Sequence, residues 1–361
     1  MNWMADRRLA IAQLFAWVVV LPGLQIVLAQ EIGTNIVDCA VDVGKGAFVC
    51  GERHGNNLLI ITNGGTVKSM TGYIGHKASS HMNTVIITGD DAVWNDTTGF
   101  DIGDKSSFNS LILVNRGRLN CTAGYLGYYA NANSNSATVS GNGSVWTMAE
   151  RLHIGCAGAY NTVVITNGGV VNCGEGATIG PGPCNSAIIT GKDSVWNVKG
   201  GSIVVGGEPG SSLILRDDGS ANGAVVVKSG SMIVGSGTID TLTMQAGSML
   251  SPGDPIGKLT LKGNCTLDSA ATNVFELGSA KVAGVDYDYV EVQGTLDIAN
   301  MDFTSFIFKA RDGFGPGIYT LINAGVLSGD LGSSTKGSIG NLTAVIRKDT
   351  SKNNVLLTVT R

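Results

Sequence analysis

The sequence contains few charged residues. Lysine, arginine, aspartate and glutamate make up 14% of its 361 residues, against about 25% in ordinary soluble domains. The net charge is −4, and the 24 basic residues form no cluster. Because nucleic-acid binding requires a concentrated patch of lysine and arginine, the sequence argues against DNA or RNA as a partner.

Histidine is also scarce. The four histidines, His54, His76, His81 and His153, show no Ser/His/Asp arrangement, and no pair of the seven cysteines has metal-ligand spacing. Catalysis by proton transfer requires acidic or basic side chains that converge on one point. We therefore expect no catalytic residues, no metal and no cofactor, and hence a protein that is not an enzyme.

Two groups of polar residues are the strongest exceptions to that expectation. His76 and His81 share a turn that the repeat described below places near Asp90 and Asp91. The segment Asp96–Asp104 carries three aspartates around a glycine turn, but it lacks the calcium-binding nonapeptide pattern. Since loops collect polar residues without any function, we interpret His76 and His81 as solvated turn residues.

The one long apolar run lies at the N-terminus. Arg7 and Arg8 precede the run Leu9–Val20, and Val27-Leu28-Ala29 provides small residues before a cleavage point. This pattern predicts a signal peptide over residues 1–29, with an uncleaved membrane anchor as the alternative. After cleavage, no remaining stretch predicts a transmembrane helix.

Glycine, by contrast, is abundant, with 52 of 361 residues, and it accompanies a repeat. Asn161–Gly169 reads Asn-Thr-Val-Val-Ile-Thr-Asn-Gly-Gly, and related segments recur along the chain. The copies begin at Asn57, Asn83, Asn109, Asn135, Asn161, Asn185 and Ser211, with spacings of 26, 26, 26, 26, 24 and 26 residues. A fixed period of this length predicts a solenoid.

Apolar columns within the repeat indicate three short strands per rung. Positions two and four after each leading residue are apolar and alternate with outward positions, as at Val163 and Ile165. A second inward column is predicted ten residues after each asparagine: Val67, Val93, Leu119, Val145, Val171 and Val195. A third strand ends before a glycine in each rung, for example Gly103 or Gly155.

This arrangement predicts an all-β fold, a right-handed parallel β-helix built from a single-stranded solenoid with rungs of about 26 residues. Residues 30–56 read as an N-terminal capping rung, and residues 57–257 as the β-helix repeats. Residues 258–361 read as a β-rich C-terminal cap. Cys156 and Cys184 fall in neighbouring rungs, where they would either form a disulfide or remain as small packed thiols.

The leading asparagines are the most regular polar residues. Stacked asparagines at one corner of a solenoid can hydrogen-bond to their copies above and below. We therefore predict a structural ladder rather than a ligand site. Its members are Asn57, Asn83, Asn109, Asn135, Asn161 and Asn185.

Three tryptophans mark alternate rungs, so that the sequence unit is two rungs, about 52 residues. Trp94, Trp146 and Trp196 each follow a valine that the pattern assigns to the core. Alternation then directs each ring outward or into a turn. Either the rings form an exposed platform for a cell-surface glycan or protein, or each one folds over its own turn and shields the core.

A second outward column, three residues after each leading position, is apolar. Its members are Ile60, Ile86, Ile112, Thr138, Val164, Ile188 and Ile214. An exposed apolar stripe is typical of an association surface, so we expect either lateral self-association or a neighbouring segment that covers the strand.

The paired pattern Val-x-Ile-Thr-Asn-Gly-Gly and Ile-Ile-Thr-Gly-x-x-Ser-Val-Trp-Asn, over residues 34–210, resembles the repeat of autotransporter (type V secretion) passengers and PEP-CTERM-sorted surface proteins. The resemblance implies an exported, adhesin-like protein without assigned catalytic residues, at the cell surface or outer membrane, outside the cell, or in the periplasm of a Gram-negative-type bacterium. Residues 258–361 match neither an autotransporter barrel nor a PEP-CTERM tail, which leaves a truncated passenger as an alternative. A second alternative is an enzyme, a β-helix lyase or glycosidase that acts on polysaccharides.

Overall fold

The computed structural model describes residues 26–28, 34–298 and 300–361. Parallel strands stack as a β-solenoid of about nine turns with rungs of about 26 residues. The predicted signal peptide lies outside the described residues except for Ile26–Leu28, which pairs in parallel with Phe48–Cys50. None of the helical structure in the described ranges is long and apolar enough to cross a membrane.

The first strand of every rung belongs to a 12-stranded parallel sheet, called here the first-strand sheet. Its strands contain β-branched residues at alternating buried and half-buried positions, a pattern that suits one face on a core. The strands are Thr34–Val37, Leu58–Ile61, Thr84–Thr88, Ser110–Val114, Ser136–Ser140, Thr162–Thr166, Ser186–Thr190, Ser212–Arg216, Met232–Gly235, Met249–Pro252, Thr272–Leu277 and Phe306–Ala310.

The second and third strands of the rungs form two further parallel stacks, which join into one 23-stranded sheet. The second strands are Ala40–Asp42, Thr66–Ser69, Val93–Asp96, Arg118–Cys121, Val145–Met148 and Val170–Cys173. The third strands are Ile26–Leu28, Ala47–Cys50, Thr71–Ile74, Gly99–Ile102, Ala123–Leu126, Arg151–Ile154 and Gly176–Ile179.

From residue 195 onward the second and third strands merge or shorten, and the parallel stack continues past residue 257. The strands in this part are Val195–Val205, Ser220–Val227, Gly237–Met244, Lys258–Leu261, Cys265–Leu267, Tyr289–Asp297 and Gly317–Ser328. A 3₁₀ turn, Phe303–Ser305, precedes the last strand of the first-strand sheet.

The C-terminal end changes from parallel to antiparallel pairing. Gly317–Ser328 pairs with Asn354–Thr360, which pairs in turn with Leu342–Asp349, and Lys336–Ile339 completes the group. An open edge of a stack exposes unpaired main-chain groups that can recruit another strand. The antiparallel strands cover that edge of the solenoid.

The core runs along the axis of the solenoid and consists of the inward columns, whose members are almost all fully buried. Glycines at the corner after the third strand make room for the ladder asparagines. A Cβ atom on Gly103 would collide with the amide of Asn135, and Gly103 has a φ of 72°, which glycine adopts without strain.

Candidate functional site

The six leading asparagines form a continuous buried ladder. In each step the Nδ2 of one asparagine donates to the Oδ1 of the next, over 2.8 Å from Asn57 to Asn83 and 3.0 Å from Asn135 to Asn161. The main-chain N–H of each asparagine donates to the same Oδ1, for example 2.9 Å from Asn135 to Asn161. The amide groups bond to one another inside the stack, apart from Asn57 Oδ1 at its start, so that the ladder holds neighbouring rungs together.

The tryptophans do not lie where alternation from Val93, Val145 and Val195 placed them, so the expectation of outward or turn-facing rings is wrong. All three rings, Trp94, Trp146 and Trp196, have an exposed fraction of 0%. In register, Trp94 pairs with the inward Val67 and Leu119.

The error came from turn length. The tryptophan rung has four residues between Thr88 and Val93, whereas the next rung has three between Val114 and Arg118. The extra residue shifts the second strand by one position and turns the following side chain inward.

Each tryptophan also has a polar partner and a matching space within the core. The indole N–H of Trp94 donates to Ser69 Oγ over 2.9 Å. The indole N–H of Trp146 donates to Cys121 Sγ over 3.4 Å. A Cβ atom on Gly124 would lie 2.8 Å from Cζ2 of Trp146. The tryptophans are therefore core residues, and a glycan platform made of their rings has no exposed surface.

A different column presents chemically active side chains on the outside. On the outward side of the third strands, Tyr73 pairs in register with Asp101, Asp101 with Tyr125, and Tyr125 with His153. These four residues are called the aromatic–acid column. Their positions follow from alternation, because each is the next-to-last residue of its third strand and precedes an inward residue.

Asp101 is the central residue of the aromatic–acid column. Its exposed fraction is only 9% although it points outward, since a tyrosine stands in the rung on each side. No side chain or main-chain N–H of the described residues donates a hydrogen bond to it. Burial, then the nearby charges of Asp104 and Asp96, raise its pKa from 3.8 to about 8. At neutral pH the carboxyl is therefore largely protonated and can both donate and accept a hydrogen bond.

His76 extends the column at its N-terminal side. Its ring stacks on Tyr73 with centroids 4.4 Å apart, and its Nδ1 lies 2.5 Å from Glu52 Oε2. Its Nε2 lies 3.7 Å from Asp104 Oδ2. Sequence reasoning placed His76 and His81 beside Asp90 and Asp91, but the contacts of His76 are with Glu52 and Asp104.

The other histidine of the predicted turn has a structural contact. His81 Nδ1 accepts a hydrogen bond from the main-chain N–H of Ser107 over 3.0 Å. Asp90 instead pairs with Arg116 over 3.0 Å, on an exposed turn.

Asp96 lies beside Ser69, whose hydroxyl donates to it over 2.7 Å. Burial raises the pKa of Asp96 to about 6.

Further aromatic rings continue the surface at the C-terminal side. Tyr125 stacks on His153 with centroids 5.4 Å apart and planes 5° from parallel. Tyr128 meets the edge of Tyr125 at 5.3 Å, and Tyr129 follows Tyr128 at 5.1 Å. Tyr128 and Tyr129 are 41% and 45% exposed. Burial, then the charge of Arg151, lowers the pKa of His153, which favours its neutral form.

This arrangement combines flat apolar rings with a protonatable carboxyl and a neutral imidazole. Two depressions in the described part of the chain, of about 410 and 440 Å³, are lined by residues outside the aromatic–acid column. Among the described residues, no three His, Cys, Asp or Glu side chains are grouped in a way that could hold a metal ion. The column thus suits recognition of a flexible chain laid along the solenoid.

Sequence reasoning missed this column although a signal was present. Tyr73 and Tyr125 occupy the same place in the two-rung repeat, two residues before Gly75 and Gly127. An alignment of the outward residues of the third strands puts both tyrosines in one column with Asp101. The signal is weak because the residue types at this outward position differ from rung to rung: tyrosine, aspartate, tyrosine and histidine.

The seven cysteines are all free thiols. Cys156 and Cys184 are half-buried and form no disulfide. Burial raises the pKa of the Cys156 thiol to about 12, so that it stays protonated and unreactive at neutral pH.

No protein-family model matches the chain, and no curated protein matches its sequence significantly.

Proposed function

We propose that this chain is an exported, non-enzymatic, adhesin-like β-helix of the autotransporter-passenger type that binds glycans through the aromatic–acid column. The parallel β-helix is compatible with a passenger of that kind. The apolar N-terminal run and the resemblance of residues 34–210 to passenger repeats support export to the surface of a Gram-negative-type bacterium.

The observation that carries the binding proposal is the unpartnered carboxyl of Asp101 between Tyr73 and Tyr125. The Asp101 carboxyl is 9% exposed and takes no hydrogen bond from the described residues, so that it is free to bond to a ligand. A sugar hydroxyl would supply the missing partner. The apolar face of a sugar ring also suits the flat tyrosine rings on either side.

Geometry favours an extended ligand. Tyr73 and Tyr125 lie two rungs apart, which is about 10 Å along the solenoid. Tyr128 and Tyr129 prolong the surface in the direction of the turn. A chain of sugars that runs parallel to the solenoid axis therefore contacts both tyrosines and passes Asp101 between them.

Affinity electrophoresis tests this proposal. The full chain would migrate through gels that contain hydroxyethylcellulose, galactomannan or alginate, beside Tyr125→Ala and a control, Tyr160→Ala. Tyr160 is 63% exposed and lies outside the aromatic–acid column. We expect at least one polysaccharide to retard the wild type and Tyr160→Ala but not Tyr125→Ala. Equal mobility of all three proteins in every gel would refute the proposal.

A polysaccharide-cleaving enzyme is the second candidate, and one observation favours it. The column brings a protonated carboxyl, Asp101, near a histidine–carboxylate pair, His76 and Glu52, and such groups can act as acid and base. Incubation with the same polysaccharides would then release reducing ends or unsaturated products. Release that Asp101→Asn abolishes would establish the enzyme, and binding without release would favour the adhesin.

A further inference from the structure

The outer face of the first-strand sheet is uncharged over a long distance. Its middle column is apolar in nearly every rung, and the register places the members one above another. The column consists of Ile36, Ile60, Ile86, Ile112, Thr138, Val164, Ile188, Ile214 and Val234. From Thr34 to Thr190 no outward position of these strands is charged, and the first charge is Arg216, which pairs with Asp254 at 2.5 Å.

Hydroxyl side chains flank the apolar column and bond to one another within their own columns. Ser136 Oγ lies 3.1 Å from Ser110 Oγ, and Thr162 Oγ1 lies 3.0 Å from Ser186 Oγ. The hydrogen bonds of these four hydroxyls are thus made within the stack before any partner arrives. A face that combines satisfied hydroxyls with β-branched apolar side chains loses little when water leaves it.

One corner of this face carries bulky apolar residues where glycine would be the least strained choice. Met82, Phe108 and Tyr160, each directly before a ladder asparagine, have exposed fractions of 54%, 61% and 63%. Their φ angles are 61°, 62° and 60°, in the left-handed region. Later rungs place glycine there, as at Gly210 and Gly230. Strained, exposed apolar residues that the stack does not require point to an interaction.

We propose that this face, the middle column with its flanking hydroxyls and the Met82–Phe108–Tyr160 corner, binds the same face of a second copy of this chain. Nine strands about 4.8 Å apart, each with an outward face of five residues about 3.3 Å apart, cover about 700 Å² per copy. A standard protein interface requires roughly 800 Å² from each partner. The face is therefore close to that size, and the corner side chains add to it.

A second copy fits this face better than a partner of different chemistry. A neutral face offers no charge pattern for another molecule to match, and it does not repel its own copy. Two flat sheets pack face to face about 10 Å apart, with interleaved side chains. The aromatic–acid column of each copy lies on the other sheet, so the dimer does not cover it. The inference does not depend on what that column binds.

Sedimentation velocity of the full chain over a concentration series tests the proposal, with a matched pair of variants from one rung. Val164→Lys places a charge in the middle column, whereas Val170→Lys changes a half-buried outward valine of the second strand. We expect the wild type and Val170→Lys to dimerise with the same constant. Because each dimer gains two buried lysines, Val164→Lys should dimerise at least about tenfold more weakly.

Circular dichroism and thermal melting confirm that each variant folds. If Val164→Lys does not fold, Thr138→Lys provides the same test at a position that is already polar. A wild type that remains monomeric at every concentration would overturn the proposal. Equal dimerisation of the Val164→Lys or Thr138→Lys variant and Val170→Lys would overturn it as well.

Discussion

Replacement of Asn135 by alanine in the middle of the ladder is a stringent test of how the solenoid is held together. The Asn135 side chain accepts from the main-chain N–H and the Nδ2 of Asn109, over 2.9 and 3.0 Å. It also donates to Asn161 Oδ1 over 3.0 Å and to the Ser106 carbonyl over 3.1 Å. The exposed fraction of Asn135 is 1%, so that water cannot replace these partners without an opening of the rung.

The magnitude follows from what the substitution leaves behind. The main-chain N–H of Asn109 loses its acceptor inside the stack, which costs about 1–3 kcal/mol, and each other lost hydrogen bond costs about 0.5–1.5 kcal/mol. We therefore expect Asn135→Ala to lower the free energy of unfolding by about 2.5–7.5 kcal/mol. Asn135→Ser should lose less, because later rungs place a buried serine, for example Ser211, at the same corner.

Asn57 provides the matched control at the first rung of the predicted repeats. Its side chain donates to His54 and Asn83 but accepts from no described residue. Asn57→Ala should therefore cost only about 1–3 kcal/mol, since two hydrogen bonds are lost and no buried donor loses its acceptor. Urea denaturation followed by the fluorescence of the buried tryptophans measures both losses. Equal losses at Asn57 and Asn135, or a loss under about 1 kcal/mol at Asn135, would refute the reasoning.

Two further predictions concern the core and the aromatic–acid column. Gly124→Ala would place a Cβ 2.8 Å from the Trp146 ring, so its unfolding free energy should fall by about 1–3 kcal/mol in the same urea assay. Gly176→Ala, whose Cβ would have its nearest contact at 3.4 Å, should be tolerated, and similar losses would contradict the packing. Because the folded pKa of Asp101 is raised from 3.8 to about 8, the folded state binds this proton more tightly than the unfolded state. The resulting stabilisation is complete below about pH 4 and is lost as the pH rises through about 8. Thermal melting between about pH 6 and about pH 9 should therefore show a fall in stability that is smaller in Asp101→Asn, and equal slopes would exclude this role of Asp101. The part of the slope that Asp288 contributes, with its pKa raised to about 7, should remain in the variant.

The sequence was sufficient to predict the stack, because stacking forces the same residue type into the same place. The period, the inward columns of the first strand and the asparagine ladder all follow from that requirement. Each of these features is visible in one rung, such as that of Asn161, and is repeated in the next.

What the sequence did not predict depends on turns and on contacts between rungs. A single extra turn residue before Val93 turned Trp94 into the core, and a count from the leading asparagine cannot detect that shift. The pairing of His76 with Glu52 links positions 24 residues apart. The place of Asp101 between Tyr73 and Tyr125 required the register of three rungs. Local pattern reasoning therefore recovered the scaffold and the outward apolar column of the first strands, but it missed the aromatic–acid column.

Hydroxyl-radical footprinting of the tyrosines is the most direct test of glycan recognition by the aromatic–acid column. The full chain would be oxidised with and without the polysaccharide that retards it most in affinity electrophoresis, at a fixed protein concentration. We expect protection of Tyr73, Tyr125, Tyr128 and Tyr129, while Tyr160 on the proposed dimer face keeps the same oxidation rate. Protection of Tyr160 alone, or unchanged oxidation of the other four tyrosines when the polysaccharide is bound, would contradict the account.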